Sequence, residues 1–294
     1  MTTRTRQTSA RQPTVAGNRR SRRASLTLFS EDHVEVRRDS DRPSGRWLFL
    51  EGMEASYVDL SDAEHLEFSY VRRIRDAVDA VFPVRQQLRA VHIGGGGGTY
   101  ARYLAATRTE SRSELIEVDP VVLEVARRHL GLQSGPRLKV HLGDARTRVV
   151  GRNDDSADVV IGDAFVDGLV PAHLATAEFA GHVARVLAPG GVYVLNVIDA
   201  PPQYIARRVA ATLLGVFPEV ALVAAHRVFR GRDVGNLVFL CSGGPVPLDR
   251  LRSRAARDGE PTDVVGTDEV RFYAAGAKPF TDETVGYPGD VPLS

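Results

Sequence analysis

The sequence predicts a doubly wound α/β fold preceded by a small β-domain. Three observations predict it. A β-branched run, Val91-His92-Ile93, leads directly into five glycines, Gly94 to Gly98. Strand-like apolar runs then alternate with helix-period segments as far as Leu240. Ahead of both, short alternating runs between residues 25 and 59 are separated by turn clusters.

Residues 1–25 carry seven arginines and no acid among Ser, Thr, Gln and Gly. This is the composition of a disordered basic tail. Arg22-Arg23 opens no export signal, because Glu31 and Asp32 interrupt the apolar stretch that follows. Residues 26–82 form the next unit. Its runs are Ser25 to Phe29, His33 to Val36 and Arg46 to Leu50. A helix is expected over Asp62–Val81, with Leu66, Tyr70, Ile74, Val78 and Val81 on one face and Pro83 ending it.

Residues 83–245 carry the alternating pattern. Strand 88–93 is followed by the glycine run and a helix over 100–107. Strand 115–118 ends at Asp119-Pro120, an N-cap and a first-position proline for the helix Val121–Leu130. Leu138–Leu142 is a third strand, closing at Gly143-Asp144-Ala145, and Ala157–Asp163 is a fourth. The helix Thr176–Leu187 is closed by Pro189-Gly190-Gly191. Strand Val192–Val197, helix Pro202–Val216 and an antiparallel pair, Ala221–Ala225 with Leu237–Leu240, complete the unit. Residues 246–294, rich in Pro, Gly and Asp, are expected to wrap the surface.

Bulk properties narrow the function classes. A net charge of +1 gives no field that selects nucleic acid or membrane. No apolar run approaches the roughly 20 residues of a membrane span. Cys241 is the only cysteine, which excludes an intrachain disulfide and suits the reducing cytoplasm. The eight histidines show no metal-ligand spacing, so no metal is expected.

The glycine run speaks to ligand chemistry. A backbone that bends sharply against a ligand needs residues without Cβ, and the following helix offers free N–H groups and a positive dipole end. Leu115-Ile116-Glu117-Val118-Asp119 places acids at the end of the next strand, where a carboxylate of a βαβ unit holds ribose hydroxyls. The unit reads as nucleoside-binding. The spacing G-x-G-x-G at Gly94, Gly96 and Gly98 suits an S-adenosylmethionine-type molecule better than NAD, without excluding NAD. A phosphate-binding P-loop is excluded, because no Gly-Lys-Ser/Thr follows.

Several segments resemble the spermidine synthase family, aminopropyltransferases with the class I methyltransferase fold. Leu48 to Gly52 is similar to its "LxLDG" strand, Glu67 to Tyr70 to "EFxYHE", Ile93 to Gly98 to "IGGGDGG" and Ile116 to Pro120 to "VEIDP". Gly143-Asp144-Ala145 is similar to "GDA", and Ile161-Gly162-Asp163 with Pro171 to Leu174 to "VDSSDPxGPAxxLF". The ordered set spans residues 46–241. It implies a Rossmann-like seven-stranded methyltransferase fold. The expected cosubstrate is S-adenosylmethionine or its decarboxylated form. The expected partner is a small-molecule acceptor, with a homodimer left open.

By the same resemblance Glu117 holds the ribose, and Asp144 accepts from the adenine amino group beside the Ala145 backbone. Asp163 helps deprotonate the attacking amine. Tyr70, Asp167 and His173 are candidate substrate contacts, although Tyr70 also falls on the apolar face of its helix. Four departures mark the acceptor side. Position 97 is Gly where the family has the Asp that pairs with the donor's amine; a bare glycine nest suits the carboxylate of intact S-adenosylmethionine instead. The second acid of "DSSD" is displaced to Asp167. Val71-Arg72 replaces His-Glu, and Phe229-Arg230-Gly231-Arg232 replaces "TYPSG". The expectation is a transferase whose nucleoside half is kept and whose polyamine half is altered. Methyl transfer to a small molecule and non-catalytic nucleoside binding are the alternatives.

Overall fold

The computed structural model describes residues 26–285; the arginine-rich segment 1–25 lies outside them. Four antiparallel strands come first: β1 (Leu26–Glu31), β2 (Val34–Arg38), β3 (Gly45–Leu50) and β4 (Met53–Asp59), paired in that order. Then follow α1 (Ser69–Val81), β5 (Arg89–Gly94), α2 (Thr99–Thr107), β6 (Arg112–Glu117), α3 (Pro120–His129), β7 (Leu138–Leu142), α4 (Ala145–Val150), β8 (Ala157–Asp163), α5 (Ala177–Val186), β9 (Leu187–Asp199) and α6 (Tyr204–Leu214). The chain closes with β10 (Glu219–Ala225), α7 (His226–Phe229), β11 (Gly235–Ser242), α8 (Leu248–Ala255), β12 (Thr262–Val265) and α9 (Thr267–Tyr273).

The second sheet runs β12-β10-β11-β9-β8-β5-β6-β7. Seven of these strands form the expected methyltransferase-like sheet. β5 to β9 are parallel, and β11 is antiparallel to both β9 and β10. The order reverses at β5, which pairs with β6 on one side and β8 on the other. Ligands of open α/β sheets bind in the crevice at such a reversal, beyond the strands' carboxyl ends.

Alternation along the buried strands divides the core. Val159, Ile161, Val192, Val194, Val238 and Leu240 pack under α1, α2 and α8. Val160, Tyr193, Leu195, Leu222 and Phe239 pack under α5, α6 and α9. A third cluster joins Val34, Val36, Leu48 and Val58 of the N-terminal sheet to Leu115, Val122, Leu123 and Leu130, so that sheet rests on α3. No helix among the described residues is long and apolar enough to cross a membrane.

Several boundaries differ from expectation for identifiable reasons. The helix expected from Asp62 begins at Ser69, because Arg72 grips the carbonyls of Leu66 and Glu67 and holds that segment extended. β6 stops before Val118, because the Glu117 carboxylate takes the N–H groups of Val118 and Asp119. Pro189-Gly190-Gly191 lies inside β9, whose pairing with β8 already starts at Leu187 and shifts register there. The C-terminal segment is more than a wrap: α8 packs on α1, and β12 pairs with β10 as an eighth strand. α4 was hidden in the sequence because its N-cap, Asp144, reads equally well as a ligand.

Candidate active site

The glycine run leaves the end of β5 at the sheet's reversal point. Gly94 has φ 74°, and a Cβ there would stand 2.6 Å from the Asp163 carbonyl oxygen, so only glycine lets β5 turn this close to β8. Gly98, also left-handed, is the N-cap of α2. Ser56 of β4 reaches the loop from the N-terminal sheet. Its hydroxyl lies 2.9 Å from Thr99 Oγ1 and 3.4 Å from the Gly97 nitrogen. A Cβ on Gly97 would point at Ser56, Val58 and Leu130, 3.1–3.2 Å away.

Glu117 closes β6 beside this loop. Its Oε1 accepts from Val118 N at 2.9 Å and Asp119 N at 3.1 Å, and the Gly96 N–H also serves the carboxylate. Burial lifts Glu117 above the usual carboxylate range, and these N–H groups work against that rise. Asp119 caps α3 by accepting from Val121 N and Val122 N. Its other oxygen meets His33 Nε2 at 2.5 Å, which ties the β1–β2 turn to α3. Burial raises the Asp119 carboxyl, but His33 and the cap N–H groups bring it below its ordinary value.

Asp144 and His173 come together. Asp144 Oδ1 accepts from Thr147 N at 2.8 Å and Thr147 Oγ1 at 2.9 Å, while Oδ2 meets His173 Nε2 at 2.8 Å. Burial raises this carboxyl; Thr147 and His173 more than offset that and hold it low. A carboxylate has about four acceptor positions, so one further donor fits. Ala145, buried, begins α4 directly behind it. A cavity of about 480 Å³ lies here, lined by Asp144, Arg146, Thr147, Val150 and His173. Arg146 is held by both oxygens of Asp282, at 2.7 and 2.5 Å.

Asp163 ends β8 on the α1 face of the sheet. Asn196 Nδ2 donates to its Oδ1 at 2.9 Å, and the Tyr70 hydroxyl donates to Oδ2 at 3.3 Å. Burial pushes Asp163 up to about 6, against these two hydrogen bonds. Tyr70 stacks on Phe68, which meets Trp47 of β3 edge-on, so an aromatic row links the N-terminal sheet to the carboxylate. Asn196 was missed in the sequence, although a lone amide inside the apolar run Val192 to Ile198 was its signal.

Other sequence candidates lie apart. Asp167 and Gly168, at φ 51° and 77°, form the exposed tip of a tight turn closed by paired hydrogen bonds between Val166 and Leu169. That geometry accounts for Asp-Gly without a ligand. Arg72 faces inward to Leu66, Glu67 and Asp258.

The profile of the Spermine/spermidine synthase domain matches residues 67–225. A polyamine aminopropyltransferase of Vibrio vulnificus is 35% identical over 207 residues, covering 70% of this chain and 62% of that protein. The chain thus spans less than two thirds of that relative's length. A probable spermidine synthase from Corynebacterium glutamicum superposes with a TM-score of 0.81 at 29% identity, covering 92% of this chain and 99% of that one. The spermidine synthase of Thermotoga maritima, 20% identical with a TM-score of 0.56 over 89% of this chain and 84% of its own, shares the fold. With the ordered glycine run, Glu117, Asp144 and Asp163 on one sheet edge, and a domain match over more than half its length, the chain belongs to the spermine/spermidine synthase family.

Proposed function

We propose that this protein transfers an aminopropyl group from decarboxylated S-adenosylmethionine to an amine. The observation that carries the reading is Asp163. It is a carboxylate pushed up to about 6, held by Asn196 and Tyr70, one hydrogen-bonded strand from the glycine loop. A base poised near neutrality both positions an ammonium and accepts its proton.

The donor's nucleoside would lie across the loop. Glu117 would accept from its vicinal ribose hydroxyls, and Asp144, with the Ala145 backbone, would meet the adenine edge. Asp163 takes a proton from the acceptor ammonium. The freed nitrogen lone pair forms a bond to the methylene carbon next to sulfur. The carbon–sulfur bond breaks, and its electron pair neutralises the sulfonium, leaving methylthioadenosine. Alignment of nitrogen, carbon and sulfur provides most of the acceleration.

One observation favours a second reading. Gly97 has no side chain, and its Cβ direction is closed by Ser56, Val58 and Leu130, so no acid meets the donor's amine there. Methyl transfer from intact S-adenosylmethionine fits that gap. Incubating the full chain with each donor and a mixture of amines separates the two. Methylthioadenosine release from the decarboxylated donor supports the proposal. S-adenosylhomocysteine release from the intact donor supports the second reading, and neither product with either donor overturns both.

A further inference from the structure

Two buried amide oxygens, Asn196 Oδ1 and Asn236 Oδ1, have no partner among the described residues. Buried polar atoms are almost always satisfied, and an orphan at a site marks the place of a water or ligand donor. Asn196 donates its NH₂ to Asp163, which fixes its oxygen as an acceptor pointing elsewhere. Strand register places the second amide beside the first. Asn196 lies opposite Val238 across the β9–β11 pair, and Asn236 lies opposite Ile198. Asn236 is therefore the diagonal neighbour of Asn196, roughly 7 Å away by strand geometry. Alternation puts both on the α1 face with Val194 and Val238, the face that carries Asp163. Asn236 stands at the carboxyl edge of the sheet, one step further out from the core than Asn196.

The acids around this row have partners of their own. Asp258 pairs with Arg72 and Asp233 with Arg227, while Glu67 and Asp263 are hydrogen-bonded to His65 and His226. The Asp199 carboxylate accepts from the backbone of Ala200 and Ala206. Asp167 sits on its own exposed turn. Among the described residues of this row Asp163 is the carboxylate, and beyond it the row offers neutral carbonyl oxygens. A second ammonium placed against those oxygens would be desolvated with no carboxylate in contact, whereas a neutral donor needs only an acceptor.

From this row of one carboxylate and two orphan amides we infer that the acceptor is a monoamine bearing an uncharged hydrogen-bond donor, a hydroxyl or amide N–H, and that Asn236 reads that donor. The inference rests on the aminopropyl reading, with Asp163 facing the acceptor's amine. Asn236 then sets specificity, and discrimination arises because a site built to accept a hydrogen bond is left unpaired by the wrong ligand.

The test compares two probes of equal length, 4-amino-1-butanol and 1,4-diaminobutane, with decarboxylated S-adenosylmethionine as donor and methylthioadenosine release as readout. Binding of each probe to the methylthioadenosine-loaded protein is measured by calorimetry in parallel. The expected result is a kcat/KM at least about tenfold higher for the amino alcohol, with binding in the same order. Asn236→Leu should raise its KM about tenfold with kcat little changed, and Asn236→Asp should move the preference toward the diamine. The aspartate variant serves if the leucine variant fails to fold.

A wild-type preference for the diamine overturns the inference. So does an unchanged ratio in both variants, or failure of both probes to bind the loaded protein. If the protein binds methylthioadenosine while the diamine is favoured, only this inference falls. If it neither binds the nucleoside nor turns over, the aminopropyl reading falls with it.

Discussion

The Tyr70 hydroxyl lies 3.3 Å from a carboxylate oxygen of Asp163, a residue 93 positions further along the chain. Two elements that share no local sequence, the first turn of α1 and the end of β8, meet at one carboxylate. That hydrogen bond favours the ionised carboxylate.

Removing it raises the carboxyl further. Tyr70→Phe is expected to move the acidic limb of the pH–rate profile upward from about 6 by roughly half a unit to one unit. Stability should change little, because the ring stays stacked on Phe68. A kcat/KM profile between pH 5 and 8 checks it; an unmoved limb would show that Tyr70 does not govern this carboxylate.

Asp163→Asn should lower kcat by about 10²–10⁴-fold with methylthioadenosine affinity retained. It should also change the pH dependence of folding. The folded carboxyl, at about 6, lies above the ordinary 3.8, so its ionisation is disfavoured in the native state. The associated stability is fully present below pH 3.8 and is lost as pH rises through 6. The variant does not titrate, so it should gain on the wild type across that window, reaching about 2–3 kcal/mol at pH 7. Chemical denaturation at several pH values measures the difference.

Gly97→Asp should destabilise the fold. Its backbone is not left-handed, so strain is not the cause. The new carboxylate would be pressed between Ser56, Val58 and Leu130 in a buried position. Burying an unpaired charge costs several kcal/mol, so a loss of more than about 2 kcal/mol is expected. A thermal melt showing no loss would mean that the N-terminal sheet yields at this point.

The contact between His33 and Asp119 joins two sheets through one helix cap. His33→Ala should cost about 1 kcal/mol or less, as partly exposed ion pairs do. Asp119→Ala should cost about 1–2 kcal/mol, because it also uncaps α3. Asp119 is held below 3.8, so its contribution is present above that pH and is lost as pH falls through the lowered value. Denaturation midpoints of the two variants at pH 7 and pH 3 check both statements.

Much of this architecture could be read from periodicity. β7 and β8 begin and end where apolar alternation places them, and Asp119-Pro120 marked the start of α3 correctly. The start of α1 could not be read locally, because the Arg72 guanidinium outcompetes the helix for two carbonyls. The same holds for β12, whose four residues become a strand only because β10 offers an edge. At the site, Glu117 and Asp163 were visible as acids closing apolar strands. Asn196 and Asn236 were not, since a single amide in a strand carries meaning only once the register shows what it faces. Asp167, an acid at motif-like spacing, also sits at the tip of a tight turn, which the spacing alone did not reveal.

Asp282 clasps Arg146 on the wall of the cavity beside Asp144. The segment after α9, as far as Asp282, is thereby a strut for an open pocket built some 136 residues earlier. A protease that nicks the polypeptide between α9 and Phe280 would release that strut together with the Phe280 ring, which is buried in the core beneath the large sheet. Filling the pocket should shield the same peptide bonds from cleavage, so this segment can serve as a gauge of its occupancy.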